Sequence, residues 1–207
     1  MGKPVRVAIV DYRAGNIRSV AKALEAVGAD PLVTSDADDI QRSDALVFPG
    51  QGANDSSMRA LRERGLVDPI TQFIESDRPF LGVCLGLQLL MDASDEGTEP
   101  GLGVIPGRTR RLPAGQKIPH MGWNSVTIKG DHEVLAGVAA GSHFYFVHSY
   151  YADPTDPSVA AGTTEYGVEF TSAVARRALV AVQFHPEKSG EMGLDLYRRF
   201  VDFARRA

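Results

Sequence analysis

The chain is poor in cysteine, and this narrows the chemistry that it can carry. Its 207 residues include one cysteine, Cys84. One cysteine excludes an internal disulfide framework, a Cys-x-x-Cys redox pair and a thiolate zinc cage. A buried inert thiol, half of an intermolecular disulfide and a nucleophile remain open. The five histidines are scattered and form no His-Glu-x-x-His motif, so we expect no metal. The chain has neither a complete dinucleotide fingerprint nor a P-loop pattern, and we expect no cofactor.

Long apolar runs and an excess of positive charge are also absent. No stretch approaches the roughly 18 apolar residues that cross a bilayer, and the apolar run before Asp11 is too short for a signal-peptide core. We therefore expect a cytoplasmic protein that does not bind a membrane. The 22 Lys and Arg residues against 26 Asp and Glu give a net charge of −4. A mildly acidic chain is not expected to bind nucleic acid as its main task.

The order of predicted elements indicates an α/β protein. In the first half, strands alternate with helices, which is typical of a parallel sheet covered by helices. The predicted strands there are 5–10, 31–34, 45–48 and 80–83, and the predicted helices are 17–27, 58–64, 67–74 and 85–91. The second half consists mainly of predicted strands, at 124–128, 144–147, 158–161, 168–171 and 179–184, before a final helix at 190–205. We expect one domain over residues 1–207, a three-layer structure whose mixed, mostly parallel central sheet is flanked by helices and has an antiparallel extension.

The segment around Cys84 leads from a predicted strand straight into a predicted helix. Gly82 and Gly86 stand two residues before and after the cysteine, where side chains would collide in a tight strand-to-helix turn. This is the nucleophile-elbow pattern with cysteine in the serine position. Such a turn exposes the thiol at the carboxyl end of the sheet, where the N-terminus of a helix lowers its pKa. A small buried hydrophobic cysteine is the alternative.

A base for this thiol stands at the end of another predicted strand. His185 and Glu187 flank Pro186, and a spacing of two places both side chains on roughly the same side of an extended chain. The carboxylate can then orient one ring nitrogen while the other faces the thiol. The other four histidines lack this setting. A surface histidine at a strand end is the alternative.

A glycine-rich turn follows the predicted strand 45–48. Gly50, Gln51 and Gly52 present backbone N–H groups that can bind an anion or complete an oxyanion hole. A plain turn is the alternative, because glycine-rich turns after strands are common.

These three segments resemble the motifs of class I glutamine amidotransferases. They are Pro49-Gly-Gln-Gly-Ala, Gly82-Val-Cys-Leu-Gly-Leu-Gln and His185-Pro-Glu, in that family's order. Within the family, the chain is similar to glutaminase subunits that supply ammonia to a cyclase in histidine biosynthesis. That closer similarity rests on four further segments spread along the chain: 11–16, 119–124, 145–150 and Lys188. Relatives that serve anthranilate or GMP synthesis tend to carry histidine where Leu87 stands, which disfavours them.

The resemblance implies a role for each member of the triad. Cys84 would attack the side-chain amide of L-glutamine, His185 would carry the proton from the thiol to the leaving ammonia, and Glu187 would orient the imidazole. Water would then release glutamate from a γ-glutamyl thioester.

The resemblance also assigns the surrounding residues. The oxyanion would be held by backbone N–H groups of Leu85 and of Gly50, Gln51 or Gly52. Gln51 departs from the family's usual small or apolar residue, but this loop acts through its backbone, so we expect little effect. The residues expected to read the substrate's polar groups are Gln88, Glu96, His148, Ser149 and Tyr150.

A second protein is implied as well. Ammonia released into water would be protonated, and in the family the glutaminase subunit docks on a barrel-shaped cyclase as a heterodimer, where the second substrate binds. The residues that match positions near that interface are Tyr12, Asn16, Met121, Trp123, Tyr145 and Lys188. A single tryptophan is often a core residue, so a buried Trp123 is the alternative.

Two other classes of function remain open. One is a different Cys-His-Glu hydrolase with a similar sheet, which the glycine-rich turn and Gln88 disfavour. The other is a binding subunit without activity, which the intact triad disfavours.

Overall fold

The first half of the chain alternates strands and helices, as the sequence predicts. A computed structural model describes residues 3–13 and 16–207. Its first four strands are β1 (Arg6–Val10), β2 (Asp30–Thr34), β3 (Ala45–Gly50) and β4 (Phe80–Cys84). The helices between and after them are α1 (Ile17–Ala26), α2 (Ala37–Arg42), α3 (Asn54–Glu63), α4 (Val67–Glu75) and α5 (Leu85–Gln88).

The second half consists mostly of strands. They are β5 (Ala93–Ser94), β6 (Gly107–Arg111), β7 (His120–Ile128), β8 (Ser142–His148), β9 (Tyr150–Pro154), β10 (Ala160–Glu165), β11 (Glu169–Arg176) and β12 (Leu179–Val182). Short 3-10 turns cover Pro157–Val159 and Pro186–Lys188, and α6 (Gly190–Arg206) follows. Among residues 3–13 and 16–207, no helix is both long and apolar enough to cross a membrane.

The twelve strands form one mixed sheet. Its main order is β2-β1-β3-β4-β12-β11-β10-β7-β8, and β5, β6 and β9 branch from it. The pairs from β2 to β12 are parallel, whereas those from β12 onward are antiparallel. The predicted mixed sheet, mostly parallel in its first part and with an antiparallel extension, is confirmed.

Both faces of the parallel part are buried. Along β1, Val7 and Ile9 belong to one apolar cluster, while Ala8 and Val10 belong to the other. Successive strand residues point to opposite faces, so a continuous apolar run fits a strand covered on both sides. The cluster that contains Val7 also includes residues of α1 and α6, on one face of the sheet. The cluster that contains Ala8 includes residues of α3 and α4, on the other face. These clusters make the three layers.

Two predicted elements are wrong. The predicted helix 85–91 ends at Gln88, because the carbonyls of Leu89, Leu90 and Met91 accept hydrogen bonds from the N–H groups of residues 102, 105 and 103. The predicted strand 158–161 begins instead as a 3-10 turn. The Asp156 side chain caps that turn by accepting from the Ser158 N–H at 2.9 Å.

Candidate active site

Strand register brings the predicted site residues to one edge of the sheet. Gly50 at the end of β3 pairs with Cys84 at the end of β4. Val182 of β12 pairs with Val83, so the segment leading to His185 emerges beside the thiol. Because parallel strands end at the same edge, three segments far apart in the chain meet there.

The backbone at Cys84 has the shape of a nucleophile elbow. Its φ is 54° and its ψ is −109°, in the left-handed half of conformational space that a residue with a Cβ rarely adopts. A Cβ at Gly86 would collide with the Phe48 carbonyl oxygen. A Cβ at Gly82 would lie only 2.8 Å from the Ala181 Cβ, which is also too close. Both glycines therefore have the steric role that the sequence predicts.

The thiol is mostly buried but faces a cavity. Cys84 is 6% exposed. Helix α5, which starts right after it, has only four residues, so its dipole is smaller than the predicted longer helix would supply. The N–H groups of its first turn remain without helical partners, as at any helix start.

His185 and Glu187 form a buried pair. The imidazole Nδ1 lies 2.7 Å from Glu187 Oε1. Burial by itself would lower the pKa of His185, but the charges of Cys84 and Glu187 outweigh it and raise the pKa to about 10. Nε2 makes no hydrogen bond within residues 3–13 and 16–207, so it is available to the proton of the thiol. The pair is therefore suited to hold a thiolate beside an imidazolium.

Glu187 is itself held by two further side chains. Asn16 Nδ2 donates to Oε1, and the Tyr197 hydroxyl lies 3.5 Å from Oε2. Burial raises the pKa of Tyr197 well above its usual range, and the Glu187 carboxylate adds to this. The phenol stays neutral and donates to Glu187, which helps to hold the carboxylate in place.

Eleven of the predicted residues line one cavity of about 350 Å³. They are Gln51, Gly52, Cys84, Leu85, Gln88, Glu96, His148, Ser149, Tyr150, His185 and Lys188. Pro119 and Val147 complete the lining. This size lies within the range of small-molecule sites. Glu187 and Gly50 are not among the lining residues: Glu187 stands behind the His185 ring, and Gly50 is buried at the end of β3.

Glu96 and Gln88 line the cavity, and each side chain makes hydrogen bonds to other groups of the protein. The Asn54 N–H, at the start of α3, donates to Glu96 Oε2 at 2.7 Å. The Gln88 amide nitrogen donates to the Tyr150 carbonyl at 2.7 Å and to Gln183 Oε1 at 3.0 Å. Both side chains are thus held in place, each with one oxygen not used in these bonds.

A pair of buried histidines stands next to the cavity. His148 Nδ1 lies 2.8 Å from the Tyr150 carbonyl, so it must donate, and its Nε2 then accepts from His120 Nδ1 at 3.0 Å. Burial lowers the pKa of His148 to about 3 and that of His120 to about 4. His148 is therefore neutral, with both ring nitrogens engaged.

Four of the residues predicted at the partner interface lie beside this cavity, because Lys188 lines it, Met121 pairs with its lining residue Val147, and Trp123 pairs with Tyr145. Met121 and Trp123 are 60% and 57% exposed, so a buried Trp123 is excluded. The Trp123 ring packs edge-on against Tyr145 at 6.2 Å between centroids, and Lys188 Nζ lies 5.8 Å from the Tyr145 centroid. Asn16 instead faces Glu187, while Ala14 and Gly15 of the same segment lie outside the described residues.

The predicted interface position of Tyr12 needs correction. Tyr12 is 1% exposed, and its ring packs against Phe48 at 5.5 Å between centroids. A Cβ at Gly50 would collide with its hydroxyl. Tyr12 therefore supports the glycine-rich turn from below and presents no surface to a partner.

The sequence prediction missed three residues that shape the site: Gln183, Tyr197 and His120. Gln183 could have been found, because it lies two residues before His185 and alternation places it on the same side of the strand. Tyr197 lies in α6, and only the packing of that helix brings it to Glu187. Within the described ranges, no group of three or more His, Cys, Asp and Glu side chains could hold a metal.

Comparison with known proteins identifies the class. The family model described as glutamine amidotransferase class-I matches residues 8–202. A crystal structure of a glutamine amidotransferase superposes with a TM-score of 0.75 at 20% identity, covering 96% of this chain and 98% of that one. PurLQS from Thermotoga maritima superposes with a TM-score of 0.75 at 17% identity, covering 97% and 99%. The chain belongs to the class I glutamine amidotransferase family and is an enzyme of that kind.

Curated relatives narrow the family further. The imidazole glycerol phosphate synthase subunit HisH of Synechococcus sp. (strain JA-3-3Ab) is 48% identical over 99% of this chain and 96% of its own length. The subunit of the same name from Methanothermobacter thermautotrophicus is 50% identical over 96% and 99%. Within its class, the chain therefore belongs to the family of HisH subunits.

Proposed function

We propose that this chain is the glutaminase subunit of an imidazole glycerol phosphate synthase. It hydrolyses L-glutamine to glutamate and ammonia and passes the ammonia to a cyclase subunit in histidine biosynthesis. The observation that carries the proposal is the convergence of Cys84, His185 and the glycine-rich turn on one cavity, with Glu187 behind the histidine. The family relationship supplies the substrate and the pathway.

The geometry supports a thioester mechanism. The Cys84 thiolate attacks the amide carbon of glutamine, and the imidazolium of His185 gives its proton to the leaving nitrogen, which departs as ammonia. His185, now neutral, takes a proton from water as the water attacks the thioester. Glutamate leaves, and the thiolate and imidazolium are restored. Glu187 keeps Nε2 directed at the reacting atoms throughout.

The oxyanion formed in each step is held by backbone groups. The Leu85 N–H stands at the start of α5, and Gln51 and Gly52 line the same cavity. Gly52 has a φ of +112°, a conformation open to glycine at little cost. N–H donors aimed at the developing charge are the largest contribution that such a site makes.

Polar groups in the cavity are placed to bind the polar groups of glutamine. A Glu96 oxygen suits the α-amino group of glutamine, and a Gln88 oxygen suits a second donor. His148 uses both ring nitrogens within the protein, so its part is to hold the Ser149–Tyr150 backbone in place. Paired polar contacts of this kind reject ligands that lack the charged groups.

The exposed apolar residues at the cavity mouth suit a docking surface for the cyclase. Met121 and Trp123 are two of the three large hydrophobic side chains that stand out as exposed among the residues described. Lys188 both lines the cavity and lies over Tyr145, so that the site opens next to this surface. We propose that a barrel-shaped cyclase covers it in a heterodimer and receives the ammonia.

The organisation of the chain supports two further proposals. Both halves contribute to one sheet, which supports a single domain over residues 1–207. A catalytic thiol must stay reduced, which supports a cytoplasmic location.

A glutaminase assay tests the proposed activity. Glutamate release is measured with and without the cyclase subunit, and with and without the nucleotide substrate of the cyclase. Cys84→Ala should abolish turnover but retain cyclase binding, whereas the exposed control Ser56→Ala should retain both. Undiminished turnover by Cys84→Ala would refute the role of Cys84. Full-speed turnover without the cyclase would refute activation by a partner.

The docking surface is tested by binding. Trp123→Ala should weaken binding of the cyclase, because central aromatic residues contribute most to interface energy. Val33→Ala is the matched control, since Val33 is 44% exposed on β2 at the opposite edge of the sheet. Equal affinities for both variants would refute this surface.

A further inference from the structure

Gln183 is buried beside the nucleophile, and the mechanism above does not use it. It is 0% exposed. Its amide nitrogen donates to Cys84 Sγ at 3.6 Å, and its oxygen accepts from Gln88 at 3.0 Å. A hydrogen bond to sulfur at this distance is ordinary, because sulfur is larger than oxygen.

The neighbours of Gln183 determine which end of its amide faces the sulfur. The Tyr150 carbonyl can only accept, so the Gln88 atom at 2.7 Å must be its NH2 group. The same NH2 group lies 3.0 Å from Gln183, which must therefore present its oxygen there. The NH2 group of Gln183 is then left to point at Cys84. Reversing this amide would set two NH2 groups against each other and break the bond to Gln88.

His148 closes the chain of hydrogen bonds at the other end. Its Nδ1 also donates to the Tyr150 carbonyl, at 2.8 Å. Two donors on one carbonyl hold it in place, and Gln88 is oriented by it. The side chains that contact substrate are thereby linked to the one that faces the nucleophile.

We propose that Gln183 is a positioning residue that favours the thiolate form of Cys84 and holds the sulfur in line with the cavity. This inference rests on the proposed role of Cys84 as the nucleophile. An NH2 donor stabilises the charged form of its acceptor and so favours the thiolate. Register places the donor there, because Val182 pairs with Val83 and the next residues on the two chains are Gln183 and Cys84.

The test measures the pKa of the thiol directly. Cys84 is the only cysteine, so the rate of alkylation by iodoacetamide as a function of pH reports on it alone. Gln183→Met keeps the side-chain length and removes the amide. We expect the midpoint of the alkylation profile to move up by about one pH unit, so that alkylation at any pH below the midpoint is about tenfold slower. Turnover with the cyclase, measured below that midpoint, should fall in kcat by a similar factor while KM changes little.

Two further variants separate positioning from general damage. Gln183→Leu removes the same amide with a different shape and should give the same shift. Thr164→Val removes the buried hydrogen bond from Thr164 to Ser172, 2.9 Å long and made without Cys84, and should leave the thiol pKa unchanged. Circular dichroism checks that each variant folds.

The outcomes are distinct. A raised thiol pKa in either folded Gln183 variant, with none in Thr164→Val, supports the inference. A parent-like pH profile in a folded Gln183 variant, or an equal shift in Thr164→Val, overturns it. Absence of glutaminase activity in the parent complex would instead refute the proposed function, and the alkylation profiles would still decide the effect of Gln183 on the thiol.

Discussion

Replacing Cys84 by glycine and by alanine measures the strain stored in the elbow. At φ 54° and ψ −109°, a residue with a Cβ is strained by about 1–3 kcal/mol. Glycine avoids that strain but loses about 0.5–1 kcal/mol more than alanine in backbone entropy on folding. Cys84→Gly should therefore be more stable than Cys84→Ala by about 1 kcal/mol, the difference between the centres of these two ranges. Both variants lack the sulfur, so its contacts cancel in the comparison.

Urea denaturation of the two variants gives the difference in unfolding free energy. For a chain of this length, each kcal/mol corresponds to about 2–4 °C in Tm, so thermal melting is a second measurement. The control is Ala26→Gly at the exposed end of α1, where the conformation is ordinary. There the exchange of alanine for glycine should have the opposite sign and cost up to about 1 kcal/mol.

One result would refute this reasoning. If Cys84→Gly is no more stable than Cys84→Ala, the elbow is not strained. The position of the thiol beside the cavity would then come from the flanking glycines alone.

Three other predictions concern the same site. Glu187→Gln keeps the size of the side chain but removes the negative charge that stabilises the His185 imidazolium. Steady-state kinetics should therefore show kcat lower by about 10²–10⁴-fold with little change in KM, and a parent-like kcat would contradict this. His148 is neutral in the folded protein, with a pKa of about 3 against 6.5 for the unfolded residue. Because only the unfolded chain takes up this proton between those two values, the contribution of His148 to the free energy of unfolding is complete above about pH 6.5 and is lost as the pH falls toward 3. Urea denaturation should show the parent losing stability relative to His148→Gln between pH 7 and 4, and parallel curves would count against it. Gly86→Ala forces a Cβ onto the Phe48 carbonyl and should lower the free energy of unfolding by about 3 kcal/mol; an unchanged urea midpoint would show that β3 can yield there.

The elements that sequence reasoning predicted well are those with a strong local pattern. β1 is a β-branched run, and α1 and α6 carry apolar residues at helical spacing; all three were predicted within one residue at each end. Helix α2 was missed although a signal was present, since the Asp36 side chain caps it by accepting from the Asp38 and Asp39 N–H groups. Strand β6 had no such signal, because it is rich in arginine and three of its five residues are exposed.

The candidate site also divides into features with a local sequence pattern and features that depend on distant contacts. The glycine spacing around Cys84 and the His-x-Glu pair are local patterns whose chemistry requires those residue types, so sequence alone located the elbow and predicted a base for it. The length of α5 and the position of Tyr12 depended on contacts from elsewhere. The carbonyls of residues 89–91 bond to a distant loop, and Tyr12 packs beneath the glycine-rich turn.

By itself, the sequence determined the fold class and the membership of an amidotransferase family, and it predicted a nucleophile and its base. Only the tertiary structure decided which side chains hold that machinery in place: Tyr197 and Asn16 on Glu187, and Gln88 and Gln183 beside Cys84. The reason is physical. A motif is a short-range pattern, whereas a hydrogen bond between residues 99 positions apart, as between Gln183 and Cys84, exists only once strand register has brought the two together.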